Sequence, residues 1–338
     1  MKRLIYLCYY LKKLNRIQFL KFFNHVRKHG KIPGYRLLFD VIASSLRYNI
    51  SLLEYFQFEF YKLDNDQRKK WAGTGYMYEF QLIMNPLKER VILDDKTLFY
   101  RNYKEFIKHC VADIEDIKKN EELLGVLLNN STGKIVFKVF NGKCGQQVLI
   151  KSIAELEETD LIEFMTNNGY DLAEEYIVQH PLLMKLSPSA VNTVRIITQL
   201  NTQGVVEILG CRLRISVNSG VDNMAAGNIA APIDDVTGTI TGPAVYSDIT
   251  KPDVFVHPIT GETIVGFQIP FWNETIAMTK AAAKLHPQNR SIGWDIAMTE
   301  NGPDMIEGNH DWCKLVWQLP VRQGLKPVLE KHLAEHKQ

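Results

Sequence analysis

From about residue 131 the periodicity of the chain changes. Short runs rich in Val and Ile follow one another: GKIVFKVF, GQQVLI, AEEYIVQH, NTVRIITQL, GVVEILGCRLRISV and the two arms of GWDIAMTENGPDMIEGN. Branched residues in runs of strand length, bounded by Gly, Asn and Pro, predict β-strands. Between them lie only a few helix-like stretches, SIAELEETDLIEFMTNNG and later NETIAMTKAAAKLHP. Strands in succession with few helices exclude alternating βαβ units and predict an α+β fold with antiparallel sheets. Residues 1 to about 70 differ, with Leu, Ile, Phe and Tyr recurring at helical spacing, broken at His29-Gly30 and Pro33-Gly34. VILDDKTLFYRNYKEFIKHC reads as a loop leading into a helix.

A chain of 338 residues, 46% hydrophobic and 23% charged, has ample core for one large domain or several smaller ones. A net charge of +2 gives no reason to expect a nucleic-acid partner. Five scattered cysteines without a CxxC pair fit a reducing cytosol and argue against a disulfide scaffold or a zinc site. Cys144, in a glycine loop, is the one candidate nucleophile among them, although most lone cysteines are inert. The charge is concentrated at the start: Met1 to Arg36 holds ten Lys or Arg and no acid. These alternate with LIYLCYYL and FLKFF, apolar runs too short to span a bilayer. Two roles fit residues 1–36: a basic helical segment lying on an anionic membrane, or helices packed on the domain with a basic outer face.

In GWDIAMTENGPDMIEGN, Asn301-Gly302-Pro303 marks a turn. Glu307 and Asn309 are two apart and share a strand face, and an antiparallel hairpin places Asp295 opposite Glu307, within one register step. Three oxygen-bearing side chains then converge, a set that suits a hard cation such as Mg2+; the plain alternative is a polar face in contact with water. In KIVFKVFNGKCGQQVLI, the loop Asn141 to Gly145 carries Gly142, Lys143 and Gly145, with Lys138 on the preceding strand. Glycine backbone N–H groups and lysines cradle phosphate oxygens, although no helix follows as in a P-loop. AEEYIVQHP presents backbone groups suited to an adenine edge, with Gln179 or His180 in reach of a ribose hydroxyl. Asn192 and Arg195 lie in one predicted strand, and Arg212 and Arg214 on one face of the next. Arginines in apolar strands call for an anion, whether a ligand or a structural Asp or Glu.

The order of these elements, from Lys96 in DDK to the terminal Asp…Glu-x-Asn hairpin, resembles the ATP-grasp superfamily. HPLLMKLSPSAVNTVRIIT, VDNMAAGNIAAPID, HPITGETIVGFQIP and GWDIAMTENGPDMIEGN resemble its sugar-transfer-associated family, related to α-L-glutamate ligases, over about residues 90 to 320. That resemblance implies two α+β subdomains clasping ATP: a helical region at 1–90, a lid with phosphate loop and adenine hinge at 91–190, and a metal-bearing subdomain at 191–325. It implies that Lys96 and Lys138 hold the ATP phosphates, that Gly142 to Gly145 form a mobile loop, and that Glu174, Glu175, Tyr176 and Ile177 form the hinge. Asp295, Glu307 and Asn309 would hold Mg2+, and Arg195, Arg212 and Arg214, with Asn192, would steady the transferred phosphoryl group or an acyl phosphate. The implied activity is an ATP-dependent carboxylate–amine ligase of surface polysaccharide synthesis, taking a small-molecule or lipid-linked sugar. A sugar kinase on the same fold and a non-catalytic ATP-binding subunit of a membrane glycan-assembly complex are the alternatives.

Overall fold

The computed structural model of the chain describes residues 2–140, 148–156 and 160–336. Gly142, Lys143, Cys144 and Gly145 lie outside the described residues.

The chain opens with three helices, α1 (Lys2–Lys12), α2 (Arg16–Gly30) and α3 (Gly34–Tyr48). Their boundaries are set locally. The Asn15 side chain accepts a hydrogen bond from the Gln18 N–H and caps α2, which ends at Lys31 with a left-handed φ of 50°. Pro33 precedes the first residue of α3. The inner faces carry Tyr10, Phe22, Val26, Leu37 and Val41, which join Phe56, Phe58, Phe60 and Trp71 in one core. That core runs on to Met224, Val245, Val316 and Leu319, so the helical region is anchored to the rest of the protein by buried apolar surface. A buried ion pair reinforces the junction, with Glu54 Oε1 2.8 Å from Lys314 Nζ.

Two antiparallel sheets follow. The first has the strand order β1 (Val111–Asp113), β4 (Leu172–Glu175), β2 (Lys134–Lys138), β3 (Val148–Ser152). The second has the order β7 (Ile229–Ile233), β6 (Val206–Ile215), β5 (Thr193–Leu200), β8 (Ser291–Thr299), β9 (Gly302–Asn309). Three details depart from the sequence pattern. The AEEYIVQH run is strand only to Glu175, because pairing with β1 and β2 stops there. SIAELEETDLIEFMTNNG contains a single turn at Ile153–Glu155 and a helix at Leu161–Asn168. The strands β1 and β7 carried no clear sequence signal: β1 is three residues long, and β7 contains Pro232, tolerated because β7 is an edge strand.

The five-stranded sheet divides its side chains by alternation. Val194, Ile196, Cys211, Leu213, Trp294 and Ile296 enter a core with Phe99, Tyr103 and the helix Trp272–Leu285. The opposite face carries Arg195, Arg212, Asp295 and Glu307, on β5, β6, β8 and β9 respectively. Gly293 lies on this polar face, where a β-carbon would sit 2.6 Å from Trp312 Cβ and 3.2 Å from Arg195 Cδ. Gly293→Ala should therefore destabilise the fold by about 1–3 kcal/mol through overpacking, read as a lowered urea midpoint. An unchanged midpoint would contradict this close approach.

Candidate functional site

Register brings the charged residues into one row. Arg195 on β5 is paired with Arg212 on β6 and with Asp295 on β8, and Asp295 with Glu307 on β9. Direct cross-strand partners have β-carbons about 4.5–5.5 Å apart, within side-chain reach. Arg195 grips Asp295 with two bonds, Nε to Oδ1 at 2.5 Å and Nη2 to Oδ2 at 2.7 Å. Arg214, two residues along β6, adds Nη1 to Asp295 Oδ2 at 2.8 Å and places Nη2 2.7 Å from Asp222 Oδ1. Asp222 in turn accepts from the Thr193 N–H at 2.9 Å and from the Thr193 hydroxyl.

The electrostatics of the row are uneven. Burial alone would raise the Asp295 carboxyl, but Arg195 and Arg214 hold it well below the usual carboxylate range. Its neighbour Glu307 moves the other way, raised first by burial and then by the Asp295 charge. Asn309 donates its amide to Glu307 Oε1 at 3.1 Å and to the Gly293 carbonyl at 3.4 Å, leaving its own side-chain oxygen as an acceptor. Burial and the Asp295 charge both disfavour a bare charge on Glu307, and a hard cation would offer the compensating charge. The oxygen donors of Asp295, Glu307 and Asn309 are of the kind that fits Mg2+. Glu307 and Asn309 offer oxygens with no arginine partner, while the Asp295 oxygens also accept from Arg195 and Arg214. Among the described residues no group of three or more His, Cys, Asp or Glu could hold a metal, so such an ion would complete its shell with water or phosphate oxygens.

The lysines come from the four-stranded sheet and the helix before it. Asp95 caps the helix Lys96–Tyr103, setting Lys96 in its first turn. Lys96 donates from its backbone N–H to Phe140 O and from Nζ to Val139 O, both at 3.2 Å, beside the end of β2. Burial depresses the Lys96 ammonium, the neighbouring Lys138 adds to this, and Glu307 opposes it. Lys138 and the Glu307 carboxyl therefore both act on Lys96. Lys138 is bonded to Glu174, whose carboxyl burial would raise but which Lys138 and His109 hold down at about 2.

His109, which carried no motif in the sequence, links the two sheets. Its Nδ1 is 2.9 Å from Asp304 Oδ2 on β9, and its Nε2 is 3.7 Å from Glu174 Oε2 on β4. Asp304 also accepts the Lys108 N–H at 2.8 Å and the His109 N–H at 3.2 Å. A bulge makes this arrangement. Pairing passes from Asp295–Glu307 to Ile296–Met305, so Ile306 is the extra residue and Asp304 comes to share the face of Glu307. In a regular strand, residues three apart point to opposite faces.

Other residues singled out in the sequence are placed elsewhere or differently. Arg212 is buried against carbonyls, bonding Trp317 O at 2.6 and 3.1 Å and Cys211 O at 2.7 Å, and burial brings its guanidinium down to about 10. The Asn192 amide binds Gln179 Oε1, Ser187 O and Ala190 O, and its oxygen accepts the Ser216 N–H at 2.8 Å. Gln179 is buried and bonds Ser187 O at 2.8 Å and Ala190 O at 3.0 Å. These two amides brace the turn leading into β5, a reason for both residue types that differs from phosphoryl or ribose contact. His180 caps the short helix Pro181–Leu186 by accepting from the Leu182 N–H. Glu175 Oε2 accepts from Cys110 N–H at 3.3 Å, while Tyr176 lies beneath Lys134 Nζ, 5.1 Å from its ring centre, and Ile177 is half-buried.

A family model described as "Sugar-transfer associated ATP-grasp" matches residues 77–333. The chain belongs to the sugar-transfer associated ATP-grasp family. No curated protein matches. Solved structures with a related fold include the ATP-grasp ligase PsnB in complex with a minimal precursor, at 12% identity and TM-score 0.43, the match covering 75% of this chain and 63% of that one. An L-amino acid ligase from Bacillus licheniformis has 13% identity and TM-score 0.42, covering 72% of this chain and 48% of that one. The D-cycloserine synthetase DcsG has 9% identity and TM-score 0.44, covering 75% and 74%.

In this ATP-grasp chain the His109 bridge has a measurable pH signature. Burial alone would lower the imidazole, but Asp304 and Glu174 raise it from 6.5 to about 9, which corresponds to roughly 3 kcal/mol. Because the folded value lies above the unfolded one, this stabilisation is complete below pH 6.5 and is lost as pH rises through about 9. His109→Gln should remove that fall in melting temperature between neutral and alkaline pH. A slope identical to that of the unaltered protein would contradict the bridge.

Proposed function

We propose that this chain is an ATP- and Mg2+-dependent carboxylate–amine ligase, modifying a sugar or glycan intermediate in bacterial surface polysaccharide synthesis. The observation that carries this reading is that Glu307, which accepts from the Asn309 amide at 3.1 Å, acts on the half-buried Lys96 ammonium with Lys138 close by. Lys96 and Lys138 would meet the phosphates of ATP. Glu307 and Asn309 would hold Mg2+, which supplies neutralising charge to the β- and γ-phosphates.

The reacting groups are all carried by substrates. A carboxylate oxygen attacks the γ-phosphorus, the bond to the β-phosphate oxygen breaks and ADP leaves. An amine then attacks the acyl carbon of the resulting acyl phosphate, the carbon–oxygen bond breaks, and phosphate departs as the nitrogen loses a proton. The protein contributes position and charge. Two of the cysteines are poor nucleophiles, burial pushing the Cys110 thiol up to about 11 and that of Cys211 up to about 12. Arg195 and Arg214 serve by fixing Asp295, and through it the charge at Glu307.

Hydroxylamine in place of the amine tests this chemistry. With ATP, Mg2+ and a panel of uronic acids and amino acids, the protein should release ADP and phosphate in equal amounts and form a hydroxamate. Glu307→Gln should keep the fold and lower the rate on the order of a hundredfold, since an amide cannot balance a divalent ion. ADP formed with a phosphorylated sugar, without free phosphate or hydroxamate, would make the protein a kinase instead.

A further inference from the structure

The helix α3 is apolar on two sides. Its inner residues Leu37 and Val41 are buried in the helical core. Tyr35, Leu38, Phe39 and Ile42 recur at i, i+3, i+4 and i+7 on the outer side, and all four are exposed, Phe39 to 76%. A surface helix normally presents charge on the side facing water, so this second stripe lacks a partner. The two preceding helices repeat the pattern. Outside the inward set of α2 lie Ile17, 83% exposed, and Leu20. Outside that of α1 lie Leu4, Ile5, Tyr9 and Leu11.

Within residues 2–36 the charge has one sign. All ten Lys and Arg of residues 2–36 are exposed. Lys2 pairs with Glu79 and Lys21 with Asp248; the other eight have no ion pair among the described residues. No acid precedes Asp40. No helix among the described residues is long and apolar enough to cross a membrane.

We infer that α1 to α3 form a docking surface for an anionic lipid bilayer. Leu38, Phe39 and Ile42 enter the boundary between headgroups and acyl chains. Tyr9 and Tyr35 keep their hydroxyls at the polar level, and the free lysines and arginines meet the lipid phosphates. Charge complementarity selects this occupant: eight unpaired cations interleaved with outward aromatic and aliphatic groups fit a negatively charged sheet with an apolar interior. The inner faces of the same helices hold them to the protein, so docking needs no refolding. This surface stands independently of the ligase chemistry.

Sedimentation of the full chain with vesicles tests it. Binding should be strong to phosphatidylcholine mixed with phosphatidylserine, weak to phosphatidylcholine alone, and reversed by salt. The double substitution Phe39→Asp with Ile42→Asp should weaken binding by about tenfold or more, with melting unchanged because both side chains face solvent. Lys28→Glu with Lys31→Glu should weaken it by about tenfold while leaving the apolar stripe in place. Absence of binding to anionic vesicles, or equal binding to both kinds, would overturn the proposal. So would a dimer in lipid-free buffer that Phe39→Asp with Ile42→Asp dissociates, which would assign the stripe to a second copy.

Discussion

The two-pronged bond between Arg195 and Asp295 orders the polar face of the five-stranded sheet. Both groups are buried on central strands, where an unpaired charge is expensive. Removing one partner of such a pair typically costs about 3–5 kcal/mol, chiefly because the other charge is stranded. A well-packed apolar pair could serve stability equally well. The specific result of having ions here is electrostatic. With Arg195 and Arg214 fixed on Asp295, the Asp295 charge is held in place beside Glu307, whose own carboxyl is raised by burial and by that charge. The pair therefore sorts two adjacent carboxylates, one held down and one raised.

This sorting requires strict register, since a one-residue slip turns every side chain of a strand to the other face. Register is held by Gly293, where Trp312 occupies the space of a side chain, and by the β9 bulge that brings Asp304 beneath His109. The bulge also decides how the two sheets are joined. His109 reaches Asp304 on one and Glu174 on the other, and Glu174 holds Lys138. Lys138 and the strand that carries Glu307 and Asn309 are thus connected through three titratable side chains, Glu174, His109 and Asp304.

Much of this was legible in the sequence where the signal is local. The hairpin places Asp295 opposite Glu307 as expected, although its turn is Glu300-Asn301, with Gly302 and Pro303 already in β9, and alternation places Glu307 and Asn309 together. What was not legible depends on distant partners. Nothing near Arg212 in the sequence tells that its guanidinium ends on the Trp317 carbonyl, or that the Asn192 amide closes on Gln179. His109 stands alone in KHC without a motif, and Asp304 shares the face of Glu307 only through a bulge, which disrupts the alternation that sequence reading relies on. The N-terminal helices show the same limit. Their apolar and basic character was plain, but the division of α3 into a buried and an outward stripe appears only when the core is built.

The central claim is that Lys96 and Lys138, together with Glu307 and Asn309, hold the nucleotide and its metal, so that the gap between these substrate-binding side chains would be filled by ATP. A crystal structure with Mn2+ and a non-hydrolysable ATP analogue tests this most directly, because manganese is located by its own anomalous scattering. The account predicts manganese bound to Glu307 and Asn309, with Asp295 still gripped by Arg195 and the phosphates against Lys96 and Lys138. Manganese bound elsewhere, or a nucleotide absent from this gap, would contradict it.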